Sequence, residues 1–249
     1  MKLFLSGLVL SFCNAATAQT VSIGVEDDWA PYSSIMNGQT RGFAADLVRE
    51  SFAAVDVEVK FVALPYVRCM AMAKLGTLAG CLGAVPNRLI ADFYLWSTVP
   101  LFKARMKVYA LARSGERGLT ASSLDGKTVG VTRGYQYGDE FDLNARIRRE
   151  VSNKNDQGFR KLLAGRMQYM AAEEKNAKMV FSMHRAEFDG KFREVGTVAT
   201  PGLYLAFTQK SPDGANYLEK FNSGYAIIIK RGRYKALEAA WFGAPTALR

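Results

Sequence analysis

The stretch Gly80-Cys81-Leu82-Gly83-Ala84-Val85-Pro86-Asn87-Arg88 decides the fold, because it closes a series of alternating strands and helices. The small apolar residues over 78–84 predict a buried strand. Pro86 ends this strand, and Asn87 can cap a short helix after it. Arg88 then lies just past a strand end, where a guanidinium can bind a carboxylate through two parallel hydrogen bonds. An exposed arginine after a turn is the alternative, since most arginines are exposed.

Two strand–helix units precede this stretch. Alternating apolar and polar residues over 21–25 predict one strand, and the β-branched segment 57–61 predicts another. Helices are expected over 43–54, which has an apolar face, and over 65–75, which begins with a proline. The segment 26–37 is expected to be a loop. This β-α-β-α-β order predicts a parallel sheet covered by helices.

The middle of the chain repeats the pattern and predicts a second lobe inserted into the first. We expect an α/β fold of two lobes, each a β-sheet flanked by helices, with residues 19–109 and 204–249 in one lobe and 110–203 in the other. Strand-like runs over 106–112 and 202–208 provide the two hinge crossings. A cleft at the carboxyl ends of the strands is where open α/β sheets bind ligands. Three further strands are predicted, over 128–132, 167–172 and 192–195. A helix is predicted from the turn 133–138 to about residue 151, and another from the end of the 167–172 strand to about residue 183. The other predicted helices are 157–163, 215–229 and 234–242.

The N-terminus has the pattern of a cleaved export signal over residues 1–18. Lys2 precedes a short apolar run, and Ala16-Thr17-Ala18 fits a cleavage site. The apolar run is too short to span a bilayer, and no later segment is apolar enough. A lipid-modified Cys13 is the weaker alternative, because bulky Phe12 precedes it. We therefore expect an exported, periplasmic protein.

The composition and the net charge limit the classes of partner and cofactor that we expect. The formal net charge of the full chain is +10, which in a cytosolic protein would suggest nucleic acid. Export and the scattered basic residues argue against a nucleic-acid partner. A single histidine, His184, and the lack of a Cys/His/carboxylate cluster predict no metal or other cofactor. A monomer is expected.

Two cysteines, Cys69 and Cys81, remain after removal of the signal. An oxidising compartment favours their pairing. Cys69 falls on a predicted helix and Cys81 on the following strand, so a disulfide requires their Cα atoms to approach to roughly 5.5–6 Å. We expect a disulfide, with two buried thiols as the alternative.

Several short motifs recur in a fixed order along the chain. They are Trp29-Ala30-Pro31-Tyr32, Gly42-Phe43-Ala44-Ala45-Asp46-Leu47, Pro86-Asn87-Arg88, Phe93 through Pro100-Leu101-Phe102, Leu124-Asp125-Gly126-Lys127-Thr128-Val129-Gly130-Val131, Leu163-Ala164-Gly165-Arg166 and Trp241-Phe242-Gly243. Their order and spacing, from about residue 21 to residue 243, resemble the family 3 periplasmic solute-binding proteins, which deliver amino acids to ABC transporters. The resemblance implies two lobes that close by hinge motion around an amino acid or a similar small carboxylate-bearing solute, an ABC permease as partner, and a binding role without catalysis.

The resemblance also implies ligand-binding roles. Arg88 matches the arginine that binds the ligand α-carboxylate, and Glu173 matches the carboxylate that binds the α-ammonium. Glu174 is the neighbouring rival, and a glutamate stabilised by a helix dipole is the structural alternative. Trp29 and Tyr66 match aromatic residues that stack on the ligand, although each could equally serve lobe packing.

Two glycine-bearing segments complete the implied site. Gly80, Cys81 and Gly83 match positions where the ligand meets main-chain groups. Gly134, Tyr135 and Gln136 match the second-lobe loop that faces the carboxylate, with a plain turn as the alternative.

The chain departs from the family in two segments. Lys74-Leu75-Gly76-Thr77 and Gly165-Arg166-Met167-Gln168 stand where relatives usually have a segment that ends in an acid, and both lack the acid. We expect these departures to affect lobe structure more than ligand contact. Two other functions stay open. A sensor or orphan binding protein would dock on a receptor instead of a transporter. A dehydratase-like enzyme on the same scaffold would need a second convergent acid or base, which the sequence does not reveal.

Overall fold

Two β-sheets, each covered by helices, form the two lobes of this protein. The computed structural model describes residues 19–243. The predicted export signal and Cys13 lie outside the described residues. No helix within residues 19–243 combines the length and the hydropathy needed to cross a bilayer. The two-lobed α/β architecture confirms the predicted fold class.

The bounds of the elements within residues 19–243 are as follows. The strands are β1 (Gln19–Val25), β2 (Asp28–Trp29), β3 (Ser33–Met36), β4 (Gln39–Arg41), β5 (Val57–Ala63), β6 (Gly80–Ala84), β7 (Tyr94–Trp96), β8 (Phe102–Lys103), β9 (Met106–Leu111), β10 (Thr128–Thr132), β11 (Arg148–Ser152), β12 (Tyr169–Glu173), β13 (Phe192–Ala199) and β14 (Gly202–Thr208). The helices are α1 (Phe43–Ala53), α2 (Tyr66–Leu75), α3 (Asp139–Asp142), α4 (Asn155–Leu163), α5 (Glu174–Met183), α6 (Arg185–Phe188), α7 (Pro212–Lys230) and α8 (Arg233–Phe242).

The first sheet has the order β5-β1-β6-β14-β7, and β8 also pairs with β14. Strand β1 runs parallel to both β5 and β6, so the predicted β-α-β-α-β series is confirmed. Strand β14 runs antiparallel to β6 and β7. The carboxyl ends of β1, β5 and β6 therefore share one edge of the sheet.

The second sheet has the order β11-β10-β12-β9-β13. Strand β10 is parallel to β11 and β12, whereas β9 is antiparallel to β12 and β13. All of β9 lies in this sheet, and all of β14 lies in the first. The chain therefore changes lobe over 104–105 and 200–201, and the expected lobe boundaries at 109/110 and 203/204 fall inside β9 and β14.

Two predicted segments have a different structure. The expected loop over 26–37 contains β2 and β3, which form a small antiparallel sheet with β4. The expected helix to residue 151 was wrong beyond one turn, α3, because β11 pairs in parallel with β10 along its whole length. Ile147, just before β11, is buried, so pairing and burial outweigh the helical tendency of this charged segment.

Separate aromatic clusters fill the cores of the two lobes. In the first lobe, the ring of Tyr32 stacks on Phe102 at 4.6 Å between centroids. In the second lobe, Phe159 packs edge-on against Phe181 at 4.7 Å. Aromatic pairs of this kind bury large areas in fixed geometries, so each sheet rests on a rigid base.

Cys69 of α2 and Cys81 of β6 are joined by a disulfide, with 5.7 Å between their Cα atoms. Both residues are fully buried. The bond ties α2 to the central strand of the first sheet, next to the edge where the strands end.

Candidate functional site

Residues at the carboxyl ends of strands from both sheets line one cavity between the lobes. Glu26 follows β1, Tyr135 and Gln136 follow β10, and Glu173 ends β12. This is the edge at which open α/β sheets bind ligands. The enclosed free volume is about 30 Å³, and the surrounding space that opens to solvent brings the total to about 370 Å³. The lining residues are Glu26, Trp29, Tyr66, Leu82, Gly83, Val85, Met106, Tyr135, Gln136, Glu173 and Leu203.

Glu26 provides a buried carboxyl group on the first-lobe side of the cavity. The hydroxyl of Tyr135, from the second lobe, donates a hydrogen bond of 2.6 Å to its Oε2. Burial raises the pKa of Glu26 to about 8, and the Tyr135 hydrogen bond offsets part of that rise. Glu26 is therefore a carboxyl group that a neighbouring positive charge could convert to its ionised form.

Glu173 provides the matching carboxyl group on the second-lobe side, and it is also buried. Its Oε2 accepts a 2.7 Å hydrogen bond from the backbone N–H of Asn176, so the Glu173 side chain caps the N-terminus of α5. Its Oε1 accepts one of 3.0 Å from the hydroxyl of Tyr32, across the lobes. Burial raises the pKa of this carboxyl, whereas the hydrogen bonds to Asn176 and Tyr32 lower it.

Aromatic and amide side chains close the cavity from both lobes. The hydroxyl of Tyr66 donates to Oε1 of Gln136 at 2.7 Å. The ring of Tyr66 meets the ring of Tyr135 edge-on, with 5.3 Å between centroids. These contacts join the start of α2 in the first lobe to the loop after β10 in the second.

The indole of Trp29 forms another wall, and Gly83 makes room for it. A Cβ at Gly83 would lie 2.6 Å from Cζ3 of Trp29, and the φ of +87° at Gly83 disfavours any other residue. The ring of Tyr32, which does not line the cavity, packs against Trp29 with 4.6 Å between the ring centroids. The ring face of Trp29 is thereby held in place beside the cavity.

The donor set of this site suits a bound organic solute. Among the described residues, no group of three His, Cys, Asp or Glu side chains is placed to hold a metal ion. Two buried carboxyl groups and three aromatic rings can instead hold a small solute with a positively charged or planar group.

Comparison with known proteins defines the family. The sequence profile of the bacterial extracellular solute-binding proteins, family 3, matches residues 21–244. The chain belongs to this family. The family and its fold are those of binding proteins, not of enzymes. No match was found among curated proteins.

Several solved structures share the fold of this solute-binding protein. An ancestral arginine-binding protein bound to arginine has a TM-score of 0.75 at 20% identity, covering 90% of this chain and 98% of that one. The arginine-, lysine-, histidine-binding protein ArtJ of Geobacillus stearothermophilus has a TM-score of 0.74 at 18% identity, covering 92% and 97%. A histidine kinase sensor domain with similarity to periplasmic binding proteins has a TM-score of 0.77 at 21% identity, covering 90% and 96%.

Six of the ten expected ligand-binding residues of the solute-binding protein line its cavity, and Arg88 does not. The side chain of Arg88 is 80% exposed, and its Nε lies 3.7 Å from Oδ2 of Asp139 in the second lobe. Its backbone N–H also donates to Oδ1 of Asp139 at 3.0 Å. Arg88 thus occupies the outer rim of the cleft. The six that line the cavity are Trp29, Tyr66, Gly83, Tyr135, Gln136 and Glu173.

Three further expected residues lie beside the cavity without lining it. Cys81 is bonded to Cys69, so its side chain points toward α2. Gly80 packs against β14, where an added Cβ would lie 2.7 Å from the carbonyl oxygen of Ala206. Gly134 faces Val67 and lines an adjoining groove. Each of these three residues contributes to packing within the solute-binding protein and not to the cavity wall.

Glu26 is the main site residue that the sequence reasoning missed. It directly follows the predicted strand over 21–25, which is the available signal, but the sequence pattern predicts a loop over 26–37. The two departures from the family pattern have structural roles instead. Gly76 caps the C-terminus of α2, and Oε1 of Gln168 accepts a 2.9 Å hydrogen bond from the backbone N–H of Thr128. Neither residue lines the cavity.

Proposed function

We propose that this solute-binding protein captures an amino acid or a closely related amine-bearing solute between its lobes and passes it to an ABC permease. One observation carries the proposal. Glu26 of one lobe and Glu173 of the other face the same aromatic-walled cavity. A ligand with an ammonium group would be bound by both lobes at once, so binding would favour closure.

The relatives agree with a nitrogen-bearing ligand. One structural neighbour is an arginine-binding protein with arginine bound, and another is an arginine-, lysine-, histidine-binding protein. The identities are near 20%, so they support the ligand class for this chain and not a particular amino acid.

We also propose a periplasmic location, a monomer and no catalytic turnover. The export pattern at residues 1–18 and the extracellular family support the location. Glu26 and Glu173 are the acidic groups in the cavity, and Glu173 is held by two hydrogen bonds within the protein. The cavity thus holds the second acid that a dehydratase-like enzyme would need, and the proposal of no turnover rests on the family, whose fold is that of binding proteins.

Substitution of Glu173 tests the site. Glu173→Gln removes the charge that would pair with the ammonium but keeps the shape of the side chain. Its amide oxygen can accept from the Asn176 N–H at the α5 cap, and its amide N–H can donate to the hydroxyl oxygen of Tyr32. A hydrogen bond to a charged group contributes about 1.5–3 kcal/mol, so affinity should fall about 10- to 100-fold. Isothermal titration calorimetry of the mature chain with a panel of the standard amino acids and simple amines measures this.

Glu174→Gln is the matched control. Glu174 is the next residue, is also largely buried and is paired with Arg105 at 2.5 Å and Lys178 at 2.6 Å, but it does not line the cavity. Its substitution should change affinity less than about threefold. If both variants lose affinity equally, or if neither loses affinity, the ligand binds elsewhere.

A sensor role is the second candidate, favoured by the similarity to a histidine kinase sensor domain. The two roles differ in the partner and not in the site. Uptake of the identified ligand by cells with and without this gene separates them, because a transport role predicts lost uptake and a sensing role predicts unchanged uptake.

A further inference from the structure

We propose that Tyr135 closes one end of the cavity and limits the ligand to a small amino acid such as glycine, alanine or serine. This inference rests on the proposed function and narrows its ligand class. Three observations support it: the small space left in the closed cavity, the contacts that hold the Tyr135 side chain, and the larger spaces that this side chain separates from the cavity.

The closed lobes leave little room for a ligand. The enclosed free volume of about 30 Å³ would hold about two water molecules. Two side chains of the wall are held in place, since Tyr32 packs against Trp29 and Glu173 caps α5. The lobes must therefore separate least around the smallest solutes, whereas a long side chain requires that part of the wall be removed.

Tyr135 is held in the cavity wall by both its side chain and its backbone. Its hydroxyl donates to Oε2 of Glu26 at 2.6 Å, and its ring meets that of Tyr66 edge-on at 5.3 Å between centroids. Its backbone N–H donates to the carbonyl oxygen of Thr132 at 3.1 Å. The ring of Tyr135 is therefore a fixed part of the wall when the lobes are closed.

Tyr135 also separates the cavity from two larger spaces, and it is the one described residue that borders all three. On one side lies a groove with a free volume of about 500 Å³, which carries Arg133 and Arg149. On the other side lies a side cavity of about 170 Å³. The ring of Tyr135 thus sets the length of ligand that the cavity accepts. The polar residues that line the side cavity besides Glu26 and Tyr135 are Asp28, Lys154, Asn155, Asp156 and His184.

Glu26 lines both the cavity and the side cavity, so it lies where a long cationic side chain would pass. The other two acids of the side cavity already pair with basic residues. Tyr135 takes Oε2 of Glu26, which leaves Oε1 for a ligand ammonium. A guanidinium binds a carboxylate best through both oxygens. Tyr135 therefore denies arginine both the space and half of the Glu26 carboxyl group.

Isothermal titration calorimetry of the mature chain with glycine, alanine, serine, lysine and arginine tests the size limit. We expect at least one of the three small amino acids to bind at least about tenfold more tightly than lysine and arginine. Lysine or arginine binding as tightly as the small amino acids would overturn the inference and leave the proposed function standing. If none of the five binds, the inference fails, and the larger panel of standard amino acids and amines decides the proposed function on its own.

Two substitutions of Tyr135 separate the ring from the hydroxyl. In Tyr135→Ala, the affinity for lysine or arginine relative to the small amino acids should rise about 10- to 100-fold, because the cation gains Glu26 as a partner. Tyr135→Phe keeps the ring, so the preference for small amino acids should stay at about tenfold or more. An unchanged ratio in Tyr135→Ala, or a lost preference in Tyr135→Phe, would contradict a size limit set by the ring.

Tyr217→Ala is the matched control. Tyr217 of α7 is also half-buried, and its hydroxyl donates to the carbonyl oxygen of Thr20 at 3.0 Å, but it does not line the cavity. Its loss should change the ratio of affinities less than about threefold, because distant sites act independently. The wild-type comparison needs no substitution, so it decides the size limit even if Tyr135→Ala does not fold.

Discussion

Glu26 shows how one buried carboxyl group can link ligand binding to pH. Its position follows from elementary topology, since the residue after a central parallel strand lies at the ligand edge of the sheet. Burial between the lobes raises its pKa to about 8, against 4.5 for an exposed glutamate. The carboxyl is thus largely protonated at neutral pH, and a bound cation would favour its ionised form.

The raised pKa predicts a pH-dependent stability that Glu26→Gln removes. Below pH 4.5 the group is protonated in both the folded and the unfolded chain. As pH rises from 4.5 to about 8, the unfolded chain loses the proton first, so the folded state loses stability. Each unit between the two pKa values corresponds to about 1.4 kcal/mol. Glu26→Gln should therefore become more stable than wild type by a few kcal/mol by pH 8, measured by urea unfolding at pH 5, 6.5 and 8.

Glu150→Gln is the control for that experiment. Glu150 is bound by Lys161 on the surface, which lowers its pKa. Its loss should therefore have a small effect of the opposite sign. A stability difference between Glu26→Gln and wild type that stays constant from pH 5 to pH 8 would contradict the raised pKa of Glu26.

At the scale of single elements, the disulfide matters because it joins two elements that line the site. Helix α2 begins with Tyr66, and β6 contains Gly83, and both residues line the cavity. The bond between Cys69 and Cys81 fixes the helix on the strand. It also restricts the unfolded chain, in which it closes a short loop.

The double substitution Cys69→Ala/Cys81→Ala should lower stability by about 2–4 kcal/mol. For a chain of this size that corresponds to a fall in Tm of about 5–15 °C, measured by calorimetry. Wild type treated with a reductant should show a similar fall, and the double variant should not respond to the reductant. An unchanged Tm in both cases would show that the bond does not stabilise the protein.

The sequence predicted elements well where local pattern and final environment agree. Alternating or β-branched residues predicted β1, β5 and β10, because buried central strands must be apolar. The same reasoning failed at β11, whose charged residues 148–150 lie on an edge strand and gain their structure by pairing with β10. The placement of Arg88 was beyond sequence reasoning for a similar reason, since it depends on Asp139, 51 positions away.

At the scale of the whole molecule, hydrogen bonds between the lobes define the closed arrangement. Four of them surround the cavity: three join side chains of the two lobes, and the fourth joins a second-lobe side chain to a first-lobe backbone carbonyl. The Asn87–Asp142 bond lies farther out, beside Arg88. The cavity bonds are Tyr135 to Glu26, Tyr66 to Gln136, Tyr32 to Glu173, and Asn176 to the carbonyl oxygen of Ala30.

Asn87 does not line the cavity, and its hydrogen bond to Asp142 lies outside the four cavity bonds. A substitution at Asn87 can therefore change lobe closure without removing a ligand contact. Asn87→Asp keeps the side-chain shape and the acceptor for the Leu89 backbone N–H. It replaces the donor toward Asp142 with a second carboxyl, so two acidic groups would face each other across the lobes. Burial already raises the pKa of Asp142, which shows that charge is costly there.

Asn87→Asp should therefore shift the lobes toward an open arrangement at neutral pH. We expect a larger radius of gyration by small-angle X-ray scattering and an affinity for ligand about tenfold lower, since closure would then consume part of the binding free energy. Asn144→Asp is the matched control, because Asn144 donates to Asp125 at 2.7 Å within the second lobe. If both variants open the lobes, or if neither does, the contact at Asn87 does not control closure. An effect confined to Asn87→Asp would mean that this rim contact, where the chain carries its family arginine, sets the balance between open and closed lobes.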